Sequence, residues 1–91
     1  MANIVVTLKI MPKNPKTDLK SLELKAKEHI KKFGGDVGKI ELEPIAFGLK
    51  AIKLIFVMDE DRGSTESLED AIKRINGVNS VEVLDVRRAI G

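Results

Sequence analysis

The 91-residue sequence has no cysteine, tryptophan, tyrosine or glutamine, and one histidine, His29. Without thiols there can be no disulfide, thiolate zinc site, iron–sulfur cluster or cysteine nucleophile. A single imidazole leaves a Ser-His-Asp triad one candidate base and rules out a multi-histidine metal site within the chain. The whole aromatic content is Phe33, Phe47 and Phe56. That is too little for a base-stacking platform, so nucleic acid is not the expected partner. No apolar run approaches the ~20 residues that span a bilayer, and Met1-Ala2-Asn3-Ile4 has no positively charged segment ahead of an apolar one. The expectation is a cytoplasmic protein with no membrane partner, no metal and no cofactor.

What is present is a globular composition carrying extra charge. Hydrophobic residues make up 43% and charged residues 33%, the latter above the average of about 25%, and disorder does not fit such a hydrophobic content. The length suits one domain over residues 1–91, with one modest core held by packing alone. Charge is unevenly spread: residues 1–53 carry eleven lysines against six acids, whereas residues 54–91 carry five basic residues against eight acids. Basic and acidic surfaces are expected to separate.

Periodicity gives the elements. Asn3 to Met11 alternates, with Ile4, Val6, Leu8 and Ile10 on one face and Val5, Thr7 and Lys9 on the other, which predicts a strand. Pro12 and Pro15 punctuate a loop. Asp18 is placed to cap a helix whose apolar positions Leu19, Leu22, Ala26, Ile30 and Phe33 step by three and four, and Gly34 and Gly35 stop it. Val37 to Glu43 and Leu49 to Met58 predict two further strands, joined by Pro44-Ile-Ala-Phe-Gly48 with Gly48 free to take a positive φ. The acidic loop Asp59 to Thr65 leads into a second helix with Leu68, Ala71, Ile72 and Ile75 as its buried stripe. Glu69–Lys73 and Asp70–Arg74 are spaced there as i,i+4 pairs, and Gly77 closes the segment. Val78 to Val86 predicts the last strand. Two right-handed crossovers in the order β-α-β-β-α-β leave one compact solution, an α+β ferredoxin-like sandwich with a four-stranded antiparallel sheet and two helices on one face.

That architecture hosts many functions, so the residues must discriminate. Gly34-Gly-Asp-Val-Gly-Lys39 fails as a phosphate loop, because the pattern needs glycine at Phe33 and Ser/Thr at Ile40, and because it follows a helix. Asp59, Glu60 and Asp61 fail as a calcium loop, since Gly63 stands where a third ligand belongs. His29, among Lys25, Lys31 and Lys32 and off the apolar stripe, reads as a surface helix residue. Lys50 and Lys53 fall on opposite strand faces by alternation, so only one of them can line a surface built around the hairpin, and Lys50 is the nearer.

Several features together carry a resemblance: Pro-Ile-Ala-Phe-Gly-Leu at 44–49, Met-Pro at 11–12, Gly77-Val78 with Val81-Glu-Val83, and Asp-Val-Arg-Arg at 85–88. Over nearly the whole chain these resemble the archaeal translation elongation factor 1-beta family. The resemblance implies the same βαββαβ fold and a non-enzymatic guanine-nucleotide exchange factor that acts on the GTPase elongation factor 1-alpha, in its GDP-bound and nucleotide-free states. It implies an aromatic wedge at the hairpin tip, matched here by Phe47 with Gly48 and Lys50 beside it. It also implies a lysine near the C-terminus that disturbs the magnesium and phosphate region. That position falls at about Gly91, so the lysine is absent and Arg87 and Arg88 are the nearest cations.

From the residues alone, Phe47 has two readings, a projecting anchor or a plug folded over the sheet edge. Arg87 and Arg88 likewise read either as electrostatic perturbers or as a solubilising end to an edge strand. The exchange factor is expected to be a monomer. The alternative is a small-molecule-binding regulatory domain of the same fold, which would pair its sheets by self-association.

Overall fold

The computed structural model describes residues 3–62 and 64–88. The elements run β1 (Asn3–Pro12), α1 (Leu19–Phe33), β2 (Asp36–Pro44), β3 (Lys50–Asp59), a short 3-10 turn (Glu60–Arg62), α2 (Glu66–Lys73) and β4 (Val78–Arg88). Four strands form one antiparallel sheet in the order β2-β3-β1-β4. Each helix connection therefore crosses over one strand, as the split βαβ arrangement requires.

Alternation decides which face is covered. In β1 the side chains of Val6, Leu8 and Ile10 are fully buried, and their partners in β3, Phe56, Leu54 and Ile52, are buried with them. Leu22, Ala26 and Ile30 of α1 and Leu68 and Ile72 of α2 close over this layer to make the core. The opposite face, with Val5, Thr7, Lys9, Lys53 and Ile55, carries no helix.

Both helix starts obey local chemistry, in different ways. Asp18 Oδ1 accepts from the Ser21 N–H at 3.2 Å, and Gly34 takes the left-handed C-cap at φ 104. Gly35 is required by space: a Cβ there would lie 2.8 Å from Ile30 Cγ2 and 2.9 Å from Phe56 Cδ2. In α2 the cap residue Thr65 makes no capping bond. Its hydroxyl instead donates to Glu69 Oε2 at 2.8 Å, while Ser64 Oγ accepts from the Glu66 N–H at 3.1 Å. Glu69 is thereby drawn towards the helix start, and neither Glu69–Lys73 nor Asp70–Arg74 is among the ion pairs of the described residues. The helix ends at Lys73, before the residues expected to close it. Ile75 still reaches the core from the turn that follows, where its N–H donates to the Ile72 carbonyl at 3.0 Å, and Gly77 at φ 100 precedes β4. His29 is half-buried and lines the seam with Ala71, Arg74 and Ile75, so it is less of a free surface residue than its lysine-rich neighbourhood suggests.

The β2–β3 turn departs most from expectation. The Leu49 N–H donates to the Ala46 carbonyl at 2.9 Å, enclosing Phe47 at φ 54 and Gly48 at φ 78. Two central residues with positive φ are the hairpin geometry that matches sheet twist, and Asn-Gly is its preferred pair. Glycine is unstrained there. A bulky side chain in that region costs on the order of 1–3 kcal/mol. Phe47 is the only non-glycine residue with positive φ among those described.

Two outcomes follow for stability. Phe56→Ala should cost about 3–5 kcal/mol and lower the urea midpoint at unchanged m; a loss below about 1 kcal/mol would mean that the two layers do not close on this ring. Phe47→Asn should raise the thermal midpoint, corresponding to about 1 kcal/mol of relieved turn strain, and a lowered midpoint would show Phe47 to be a packing residue.

Candidate functional site

The hairpin turn places its side chains by backbone geometry alone. Phe47 is 94% exposed, whereas Phe56 is buried and Phe33 packs against the core. Phe47 therefore does not plug the sheet edge; it projects from it. Leu42 in β2 and Ile45 just beyond its end are also exposed large apolar residues, and Lys50 is exposed where β3 begins. Pro15 of the β1–α1 loop lies near the tip: a Cβ added to Gly48 would sit 3.6 Å from Pro15 Cβ. Phe47, Gly48 and Lys50 thus form one projecting group with an apolar shoulder.

Lys53 belongs elsewhere. Its ammonium lies 3.3 Å from Glu43 Oε2 on the helix-free face, where Lys39 and Glu41 also pair at 2.9 Å. The hydrogen bond between Lys39 and Glu41, and then their Coulombic attraction, raise the Lys39 pKa and lower that of Glu41. This face satisfies many of its charges within itself.

Arg87 and Arg88 lie at the opposite end of the sheet. Ile4 pairs with Met58 on one side and Arg88 on the other, while the hairpin adjoins Lys50 at the far end of β3. The run from Lys50 to Met58 covers roughly 26 Å at ~3.3 Å per residue. The two arginines also part company by alternation: Arg87 sits across from Val5 on the helix-free face, and Arg88 across from Ile4 on the covered one. Arg87 Nε is 2.7 Å from Asp85 Oδ2, and Arg88 Nη2 is 3.0 Å from Glu60 Oε2 in the 3-10 turn. The structure therefore groups Phe47, Gly48 and Lys50, and sets Arg87 and Arg88 apart from them and from each other. Asp85, two residues before Arg87 on the same strand face, was readable from the period of two. Glu60, 28 residues from Arg88, gave no sequence signal. Gly91, where the resemblance expects a lysine, lies outside the described residues with Ala89 and Ile90.

The rejected motifs are absorbed by structure. Gly34 caps α1, and Asp36 to Lys39 belong to β2, so no phosphate loop forms. Asp59 Oδ1 accepts from the Asp61 N–H at 2.9 Å, which shapes the 3-10 turn. Among the described residues no group of three or more His, Asp and Glu side chains converges on a point where a metal could sit. No described helix is long and apolar enough to cross a membrane.

The chain matches the family model of the EF-1 guanine nucleotide exchange domain over residues 5–89. It is 42% identical over 88 residues to elongation factor 1-beta of Methanothermobacter thermautotrophicus, covering 97% of this chain and 98% of that one. It is 46% identical to the protein of the same name from Methanobrevibacter smithii at the same coverage, and 40% identical over 89 residues to that of Staphylothermus marinus, with 97% and 98% covered. Among solved structures, the ACT domain of GTP pyrophosphokinase from Chlorobium tepidum superposes with a TM-score of 0.62 at 19% identity, covering 90% of this chain and 99% of that one. A de novo designed protein, Foldit4, does so with 0.62 at 19% identity and 98% coverage of each. At such identities these two share the ferredoxin-like fold and nothing more. The sequence relatives and the family match carry the assignment: the chain belongs to the EF-1 guanine nucleotide exchange domain family, among its archaeal elongation factor 1-beta members.

Proposed function

We propose that residues 1–91 act as one exchange unit, in the cytoplasm, that promotes GDP release from the GTPase elongation factor 1-alpha without covalent chemistry. The observation that carries this reading is Phe47: an aromatic ring 94% exposed on a turn that it strains. The strain contributes nothing to the fold, so its use lies in contact with another molecule. A large ring projecting from a rigid turn enters a partner's pocket with little entropy left to lose, which is the character of an interface hot spot.

A GTPase holds GDP through phosphate contacts, so an exchange factor must favour a state that holds nucleotide poorly. Linkage makes the effect reciprocal: whatever factor the exchange protein removes from nucleotide affinity, the nucleotide removes from its affinity for the GTPase. Phe47, with Gly48 and Lys50, anchors one end of the complex. Arg87 and Arg88, as permanently charged forks suited to phosphate and carboxylate, act at the other. Their pairs with Asp85 and Glu60 are exposed and worth about 0–1 kcal/mol, so they are released at little cost. Because the ends lie roughly 26 Å apart, one pocket cannot take both. A standard interface of ~800 Å² per partner is wide enough to reach both ends.

Stopped-flow release of labelled GDP from elongation factor 1-alpha tests the reading, and no acceleration at saturating protein would overturn it. Phe47→Ala should weaken half-saturation by about 30-fold, matching a hot-spot loss near 2 kcal/mol, with no fall in thermal midpoint. The double variant Arg87→Ala/Arg88→Ala should instead lower the maximal release rate, with a smaller effect on half-saturation. Equal effects of both variants on both parameters would show that the two ends do not divide binding from release.

A further inference from the structure

The hairpin end carries more than Phe47. Behind the tip, Lys13, Asn14, Lys16, Thr17, Lys25 and Asn76 line most of a surface cleft of about 490 Å³, in which the Lys13 N–H is tied to the Gly77 carbonyl at 2.9 Å. Pro15, in the middle of this loop, lies near Gly48, and the β1–β3 register sets the end of β1 beside the start of β3, so cleft and turn lie at the same end of the sheet. Asn14 Oδ1 accepts from the Lys16 N–H at 2.9 Å and from the Thr17 hydroxyl at 3.4 Å, which fixes the loop. Lys13, Lys16 and Lys25 are exposed, and none of them is in an ion pair of the described residues, in contrast to Lys39 and Lys53 on the helix-free face. The cleft's one carboxylate, Asp18, is engaged with the Ser21 N–H.

From this juxtaposition we propose that the lysine cleft receives an acidic segment of the same GTPase whose apolar pocket takes Phe47, so that the hairpin end both steers and anchors the partner. The inference rests on the exchange reading above and adds to it the charge of the surface contacted. Three unpaired lysines beside one exposed ring match the anatomy of a protein interface, an apolar centre with a polar rim. A nucleic-acid partner fits less well, because a single aromatic offers no run of stacking positions. Surface charges of this kind act mainly on the association rate, which they raise by ten-fold or more and which then falls with ionic strength. The buried anchor governs dissociation.

The test is association of the full chain with nucleotide-free elongation factor 1-alpha between 50 and 400 mM NaCl. The triple variant K13Q/K16Q/K25Q should lower the association rate by about ten-fold at the lowest salt and flatten its salt dependence, leaving the dissociation rate within two-fold. K27Q/K32Q/K73Q, which removes the same charge elsewhere, should lower it by less than two-fold. F47A should do the converse of the triple variant, speeding dissociation at a nearly unchanged association rate. Thermal melts check that each variant is folded. Equal losses in the two triple variants would reduce the effect to net charge and overturn the proposal. Unchanged GTPase association in K13Q/K16Q/K25Q, with lost binding to a 20-nucleotide RNA probe, would overturn it in favour of a nucleic-acid surface. If wild-type protein fails to associate with the GTPase at any salt, the exchange reading itself falls, and the cleft assignment with it.

Discussion

The antiparallel pairing of β1 with β3 is the constraint from which the rest follows. Its register, from Asn3 opposite Asp59 to Ile10 opposite Ile52, turns Val6, Leu8, Ile10, Ile52, Leu54 and Phe56 to one face and leaves Lys9, Lys53 and Ile55 on the other. A slip of one residue would bury lysines and expose this apolar set. The same register fixes the ends. β3 begins beside the β2–β3 hairpin and finishes beside the end of β4, so the pair acts as a spacer that holds the Phe47 tip and the arginine strand end apart. α1 and α2 cover the apolar face, which ties stability to one side of the sheet and leaves both ends free for contact.

Local stability gives way at the tip. Almost every position obeys the rules that favour folding: Asp18 caps, Gly34 ends α1 in the left-handed region, and Gly35 stands where a Cβ would collide with Ile30 and Phe56. Phe47 does the opposite. It occupies a conformation suited to asparagine or glycine and buries almost none of its ring. In the proposed reading, this locally inconsistent residue serves contact with a partner instead of folding. The turn is closed by two backbone hydrogen bonds, from the Leu49 N–H to the Ala46 carbonyl and from the Ile45 N–H to the Leu49 carbonyl.

The topology was legible because its signals are local and periodic. Alternation in β1, three-and-four spacing in α1 and glycines after both helical segments specify the element order, and right-handed crossovers leave one arrangement. Phe47, Gly48 and Lys50 were legible as a group because they are neighbours in sequence. The division of the site into two ends was not, since Phe47 and Arg88 acquire their separation only from the β1–β3 register. The face difference between Arg87 and Arg88 is implied by the strand period of two. The Arg88–Glu60 pair depends on where the 3-10 turn sets Glu60, and no short-range pattern specifies that. The lysine cleft was hidden in the general excess of lysine over residues 1–53; what singles out Lys13, Lys16 and Lys25 is that they line one cleft, a property of the folded chain. Of the expected α2 ion pairs, Glu69–Lys73 gives way to the Thr65–Glu69 hydrogen bond, and Asp70–Arg74 reaches past the helix end at Lys73.

In the proposed complex the chain touches its partner at both ends of the sheet and not across its helix-free face. The most direct measurement is backbone amide shift mapping of the labelled chain during titration with nucleotide-free elongation factor 1-alpha. Two-ended contact should strongly perturb Ile45 to Lys50 and Asp85 to Arg88, with Lys9, Lys53 and Ile55 nearly unchanged. Perturbation centred on Lys9, Lys53 and Ile55, with a silent hairpin, would contradict it.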